Sequence, residues 1–243
     1  MPSIKLSVNV NKVATLRNSR GGREPDVLQA VSTCVAAGAP GITVHPRADE
    51  RHIRRSDVYA IAELLKSSPQ VEYNIEGDPR PDLLELVLRV RPTQCTLVPV
   101  KPGEVTSQAG WPADTAVDEL ASIVGGIKKI GVRVSIFIDP DLRAVNWAAA
   151  VGGDRVELYT EPFARAFEAG RGEASLETYT AAAELAHSLG LGINAGHDLD
   201  LKNLPLFRRL PHLQEVSIGH ALISHALYVG LERSVRGYLD ALR

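Results

Sequence analysis

Gly41-Ile42-Thr43-Val44-His45-Pro46-Arg47-Ala48-Asp49-Glu50-Arg51-His52 decides how the rest of the chain is read. Ile42 to Val44 is a β-branched run, the pattern of a short buried strand. Pro46 has no N–H to give to a ladder, so the strand stops at His45. Arg47, Arg51 and His52 follow within one loop. A strand that ends on a titratable side chain and empties into a cationic loop is how parallel α/β enzymes present chemistry at the carboxyl edge of the sheet. The plain alternative is a strand end followed by solvated charge.

Outward from this strand the same alternation repeats. Before it, Ile4 to Val10 reads as strand one, Asn11 to Arg23 as a polar stretch, and Glu24 to Ala37 as a helix stopped by Gly38. After it come a capped amphipathic helix, Ser56 to Lys66, strand three, Val71 to Ile75, and a helix, Asp78 to Arg89, closed by Pro92. Strand four is Gln94 to Val98, followed by an irregular stretch, Pro99 to Asp114, of the length that is usually functional or mobile. Helix Val117 to Ile130, strand Val132 to Ile138, helix Pro140 to Val151 and strand Arg155 to Tyr159 follow. Glu161 to Glu173 reads as an elaborated loop, and Ser175 to Leu189 as a helix. Strand seven is Gly192 to Ala195, a short helix spans Leu201 to Arg209, strand eight is Glu215 to Ile218, and Ala221 to Leu242 closes the chain as one helix. Eight strands alternating with eight helices is the arithmetic of a (β/α)8 TIM barrel. No composition shift marks a linker, so residues 1–243 are expected to form a single barrel domain. A doubly wound open sheet is the alternative, and it lacks the GxGxxG that would follow strand one.

The composition sets bounds. With 23% charged and 44% apolar residues the chain is globular, and a net charge of −2 excludes the broad basic face that a nucleic-acid partner needs. The arginines are concentrated in loops, which suits small anionic ligands. Cys34 and Cys95 lie in apolar settings without metal spacing, and read as buried thiols of a reducing compartment. No leader pattern and no stretch approaching a membrane span is present, so a cytoplasmic protein without a membrane partner is expected.

In a barrel the carboxyl ends of all strands share one rim. The polar residues at or just past those ends are Asn9, His45, Arg47, Glu72, Thr106, Asp139, Glu157, Asn194, His197, Gly219 and His220. Glu72 stands in strand three, where a parallel-sheet position is normally apolar. Burial would raise its pKa toward the range a general base needs. The alternative is a structural ion pair with a barrel arginine such as Arg133. Glu157 repeats the pattern with the same alternative. His197 follows Asn194-Ala195-Gly196, whose small side chains permit close approach. His187, His212 and His225 fall away from the rim and read as structural. Ser217-Ile218-Gly219-His220-Ala221 ends strand eight and opens a helix, a placement suited to phosphate. Arg47, Arg51 and His52 could hold a second anion. No HExxH or Cys/His cluster has ligand spacing, and no metal is expected.

Taken in order, several segments resemble the pyridoxine 5′-phosphate synthase family of the deoxyxylulose-dependent vitamin B6 pathway. They are Val8-Asn9-Val10 with Ala14-Thr15-Leu16-Arg17-Asn18-Ser19-Arg20, Gly41 to Arg47 with Arg51-His52-Ile53, Leu97-Val98-Pro99 with Glu104-Val105-Thr106, Val134 to Asp139, Asn194-Ala195-Gly196-His197, and Ile218-Gly219-His220-Ala221. The resemblance implies a barrel with extra helices, a homo-octamer and no cofactor. It implies a ring-forming enzyme that condenses 1-deoxy-D-xylulose 5-phosphate with 3-amino-2-oxopropyl phosphate. By position, His45 and Glu72 would accept protons, His197 would donate one and Glu157 would stabilise a transition state. Arg47, His52 and Thr106 would hold the deoxyxylulose phosphate. Asn9, Arg20, Gly219 and His220 would hold the amino ketone phosphate. Two departures stand out. Asn11-Lys12 replaces the Asp-His common in the family at positions toward the deoxyxylulose phosphate, and Asp198 replaces a common glycine beside a phosphate. A phosphate-binding protein of the same fold without catalysis, or an unrelated barrel aldolase with a Schiff-base lysine, are the competing readings. Lys101 and Lys128 are poorly placed for the latter.

Overall fold

A computed structural model describes residues 4–99 and 109–243 of the chain. Thr106 lies outside the described residues. The elements run β1 (Lys5–Asn9), α1 (Asn11–Asn18), α2 (Val27–Ala36), β2 (Gly41–Val44), α3 (Arg55–Leu65), β3 (Glu72–Gly77), α4 (Pro81–Val90), β4 (Gln94–Leu97), α5 (Val117–Lys129) and β5 (Arg133–Ile138). They continue with α6 (Leu142–Val151), β6 (Arg155–Tyr159), α7 (Glu161–Glu168), α8 (Gly172–Ser188), β7 (Gly192–Gly196), α9 (Leu204–Phe207), β8 (Leu213–Ile218), α10 (His220–Val229) and α11 (Leu231–Ala241). Every strand pairs in parallel with its sequence neighbours, and β8 returns to β1, so the sheet closes into a (β/α)8 barrel.

Alternation along each strand sends one set of side chains outward and the other into the barrel. The outward set is apolar and fully buried against the helices, with Leu6, Val8, Ile42, Val44, Ile75, Leu97, Val134, Ile136, Val156 and Ile193 among it. The inward set is largely polar, Phe137 of β5 being an apolar exception near the mouth. Ser7 and Thr43 share a hydrogen bond of 2.6 Å, Asn74 donates to Thr43 at 3.3 Å, and Thr96 donates to Asn74 at 3.0 Å. Below them Arg133 donates to Gln94, and Arg155 to Asn194. Most polar groups inside this barrel are therefore part of a connected network, and a polar residue there is not a catalytic signature in itself.

Four boundaries depart from the sequence reading. The polar stretch after β1 contains α1. It is held by Arg17, which is buried and donates to both carboxylate oxygens of Asp57 at 2.7 and 2.8 Å. The elaborated loop after β6 begins with α7, opened by Pro162 in its first turn. The closing helix is two helices, broken at Gly230, whose φ of +88° a helix cannot accommodate. Strand three runs on to Gly77 and so includes Glu76.

Candidate active site

Glu72 opens β3, level with Gly41 at the start of β2, and so lies at the amino-terminal end of the barrel. Its two carboxylate oxygens are taken by Lys5 and Arg133. Burial pushes its pKa up, but these two cations outweigh it and hold the carboxyl below its ordinary value. The expectation that Glu72 meets His45 and His197 at the rim is corrected. It forms the structural ion pair with Arg133, at the opposite end of the barrel from those histidines.

The same strand places Glu76 at the other end. Two residues 72 and 76 in one strand share a face and differ by about 13 Å in depth. Glu76 is 6% exposed, and its Oε1 is 3.5 Å from both Ser217 Oγ and Asn74 Nδ2. Burial, then the charge of Glu215, push its pKa up to about 8. Glu157, from the middle of β6, is 2% exposed, and its Oε2 has no hydrogen-bond partner among the described residues. Burial and the nearby charges of Glu76 and Glu215 push its pKa well above the usual carboxylate range. Glu215 is also raised by burial but is met from below by Arg155 at 3.8 Å. Glu76 and Glu157 thus form an acidic pair without a cation against either carboxylate among the described residues. The motif Asn74-Ile75-Glu76-Gly77 carried this signal in the sequence, because a second glutamate two residues past an inward-facing asparagine must also face inward.

His45 is buried just beyond β2, and its backbone N–H is capped by Asn11 Oδ1 at 3.0 Å. Burial first, then the charges of His52, Arg47 and Arg80, drive its pKa well below the ordinary value, so it is neutral at pH 7. Its Nε2 has no hydrogen-bond partner among the described residues. His52 packs edge-on to it at 6.2 Å between ring centres. The Nδ1 of His52 accepts the N–H of Ile53 at 2.9 Å, which leaves the proton of the neutral ring on Nε2. Burial and the charge of Arg47 lower its pKa to about 4. Arg47 is buried, whereas Arg51 is exposed and pairs with Asp49.

Across the mouth, His197 follows β7 with a φ of +86° and packs against Phe137 and Tyr159 at 5.2 and 5.5 Å. Burial lowers its pKa, and the charge of Asp198 partly offsets this. Gly196 precedes it because the carboxylate of Glu157 lies where a Cβ would be, with Oε1 only 2.6 Å from that point. Asp198 is exposed with a φ of +55°, and its carbonyl accepts from Asn203 at 3.0 Å. Gly219 caps α10 and lies against Asn9, with His220 exposed at the first helical position. Asn9 Oδ1 accepts the N–H of Asn11 at 3.0 Å. Lys12 and Arg20 are exposed, on α1 and just past it. A cavity of about 740 Å³ opens between the loops after β6, β7 and β8, with Glu161, Arg165, Asp198, Lys202 and Ala221 on its walls. A second, of about 480 Å³, lies between the loops after β5 and β6, beside Asp139, Tyr159 and Arg171. Both lie on the β5–β8 side of the mouth and are of a size for small ligands. Among the described residues no group of three His, Cys, Asp or Glu could hold a metal ion, and no helix is long and apolar enough to cross a membrane.

The model of the family described as pyridoxal phosphate biosynthesis protein PdxJ matches residues 6–243. A pyridoxine 5′-phosphate synthase of Porphyromonas gingivalis is 55% identical over 239 residues, covering 98% of each chain. That of Bacteroides fragilis is 52% identical over 240 residues, covering 98% of this chain and 99% of the relative, and that of Xanthomonas oryzae pv. oryzae is 52% identical over 249 residues, covering 99% and 97%. Among solved structures, 3-hexulose-6-phosphate synthase from Salmonella typhimurium superposes with a TM-score of 0.67 at 16% identity, covering 98% of both chains. Thiamine phosphate pyrophosphorylase from Pyrococcus furiosus does so with 0.64 at 11%, covering 98% of this chain and 95% of the other. At such identities the structural likeness speaks to the barrel alone.

Proposed function

Because the chain belongs to the pyridoxal phosphate biosynthesis protein PdxJ family, and so is a ring-forming biosynthetic enzyme that makes pyridoxine 5′-phosphate, we propose that this reaction runs at the carboxyl-terminal mouth of the barrel on Glu76, Glu157, His45 and His197. The observation that carries the reading is the pair of buried carboxylates, Glu76 and Glu157, set below two neutral histidines. Condensing 1-deoxy-D-xylulose 5-phosphate with 3-amino-2-oxopropyl phosphate requires an imine to form, a phosphate to leave and a ring to close. Each step moves a proton at a different atom, so acid–base groups on more than one side of the bound substrates are what the chemistry needs.

In this reading Glu76 takes the place expected of Glu72, exchanging protons with the substrate carbons from a pKa of about 8. His45 accepts a proton at its Nε2. Burial favours the neutral form of His197. The arrival of two phosphate dianions favours its imidazolium, after which it can donate. Glu157, whose protonated form burial favours, stabilises a transition state by donating a hydrogen bond to an oxygen on which negative charge develops. Arg47 and His52, with Asn11, Lys12 and Thr106, hold the deoxyxylulose phosphate. Asn9, Arg20, Asp198 through its backbone N–H, Gly219 and His220 hold the amino ketone phosphate, where α10 directs its first N–H groups outward. No organic cofactor enters this scheme. A homo-octamer in the cytoplasm is the assembly we propose with it.

The test is turnover of the two phosphates by the purified protein. Release of inorganic phosphate with formation of pyridoxine 5′-phosphate is expected, and its absence would reject the reading. Glu76→Gln should lower kcat by about 100-fold or more with small changes in KM. Glu72→Gln should leave kcat within about threefold. The reverse pattern would return the base to Glu72.

A further inference from the structure

Thr160 follows β6 directly and precedes the first residue of α7. A threonine in that position ordinarily accepts a hydrogen bond from an N–H of the first helical turn. Here its side chain caps nothing. It turns across the sheet instead, fully buried, toward the end of β7. Its Oγ1 lies 2.7 Å from the Gly196 carbonyl oxygen and is also hydrogen-bonded to the carbonyl of His197. The single hydroxyl proton is therefore shared between the Gly196 and His197 carbonyls, and the Gly196 oxygen also accepts the N–H of Thr160 at 3.1 Å.

These bonds fall where the backbone leaves ordinary territory. His197 and Asp198 have φ values of +86° and +55°, a region that residues other than glycine occupy only when their surroundings over-determine it. Phe137 and Tyr159 flank the imidazole, but apolar ring faces restrain its plane without fixing the peptide that aims it. Among the described residues the Thr160 hydroxyl is the directional contact to the His197 carbonyl, while Asn203 holds the following carbonyl, that of Asp198, at 3.0 Å.

We infer that Thr160 is a positioning residue for His197, its hydroxyl pinning the left-handed turn that points the imidazole into the mouth. The inference rests on the reading of His197 as an acid–base group. Thr160→Val keeps the shape and removes the hydroxyl. It should lower kcat by about 10- to 100-fold, the scale of a small misplacement of a reacting group, with KM for both phosphates within about threefold. Thr160→Ser, which retains the hydroxyl, should restore kcat to within about threefold of the parent.

A double-mutant cycle separates positioning from general support. In a His197→Asn background, Thr160→Val should cost less than about twofold, because its target is gone. Equal losses in both backgrounds, or a Thr160→Val enzyme as active as the parent, would overturn the inference. If His197→Asn itself turns over normally, the reading of His197 falls. If His197→Asn is impaired while Thr160→Val is not, only the role of Thr160 falls. Should Thr160→Val fail to fold, Thr160→Ala against Thr160→Ser makes the same comparison, and equal kcat for those two overturns the proposal.

Discussion

Replacing Glu76 by glutamine should stabilise the protein, and by more as the pH rises. The carboxyl is 6% exposed, and burial together with the charge of Glu215 lifts its pKa from 4.5 to about 8, against a smaller pull from the Ser217 hydroxyl. An acid whose pKa is higher folded than unfolded holds its proton more tightly in the folded chain. Below its unfolded pKa it is protonated in both states and costs nothing. Between the two values the unfolded chain ionises and the folded one does not, and stability falls by about 1.4 kcal/mol per pH unit. At pH 7 the cost is about 3 kcal/mol, and it levels off near ~5 kcal/mol once the folded group ionises above about pH 8. Against a total stability of about 5–15 kcal/mol this is a large fraction.

Glutamine has the same shape and no charge at any of these pH values. The difference in unfolding free energy between Glu76→Gln and the parent should therefore be small at about pH 5 and grow to a few kcal/mol by about pH 8. Urea unfolding at one protein concentration, followed through the fluorescence of Trp111 and Trp147, whose rings lie 6.0 Å apart, reads it directly. A stability difference that does not change with pH would refute the reasoning, because it would mean that Glu76 titrates alike in the folded and unfolded chain. A variant that gains stability while losing turnover is the expected signature of a group kept for chemistry at the expense of the fold.

Three further outcomes follow from particular contacts. Glu72→Gln should destabilise the fold by about 1–2 kcal/mol at pH 7, since it leaves Lys5 and Arg133 facing a neutral group in a partly exposed site. Because Glu72 has a depressed pKa, the loss relative to the parent should fade as the pH drops through that value, which acid titration of the unfolding midpoint can check. Gly196→Ala should push the Glu157 carboxylate off its position, 2.6 Å from the new methyl, with about 1–3 kcal/mol of strain and at least about a tenfold loss of kcat. Normal kinetics in that variant would mean that Glu157 moves at no cost to the reaction. Arg17→Ala should cost about 3 kcal/mol by stranding Asp57, and should raise KM for a phosphate substrate, since the same guanidinium also donates to the His52 carbonyl at 3.2 Å.

Much of the architecture was legible along the chain. Runs such as Ile42-Thr43-Val44 and Val134 to Ile138, punctuated by glycine and proline, mark strands by a physical rule: outward side chains must be apolar to pack under helices. Eight such runs leave few topologies other than a closed barrel. His45, Glu157, His197 and Gly219 could be placed at or near one rim because strand ends in a parallel barrel share an edge. Helices α1 and α7 were not legible. Both are short, and α1 has a polar sequence held in register by distant partners, the buried Arg17–Asp57 pair foremost among them.

What the amino-acid order determined, then, is which residues face inward, because side-chain direction alternates with period two and is settled locally. Glu72 and Glu76 satisfy that rule equally well. Their depth was decided by tertiary structure alone, through the pairing of β3 with β2 and β4, which sets Glu72 beside Gly41 and Glu76 beside Thr96. Closure of the barrel then gave the lower glutamate two cations and left the upper one facing Glu157. The difference between a structural ion pair and a carboxyl poised near neutrality lies in those non-local neighbours, which no local pattern encodes.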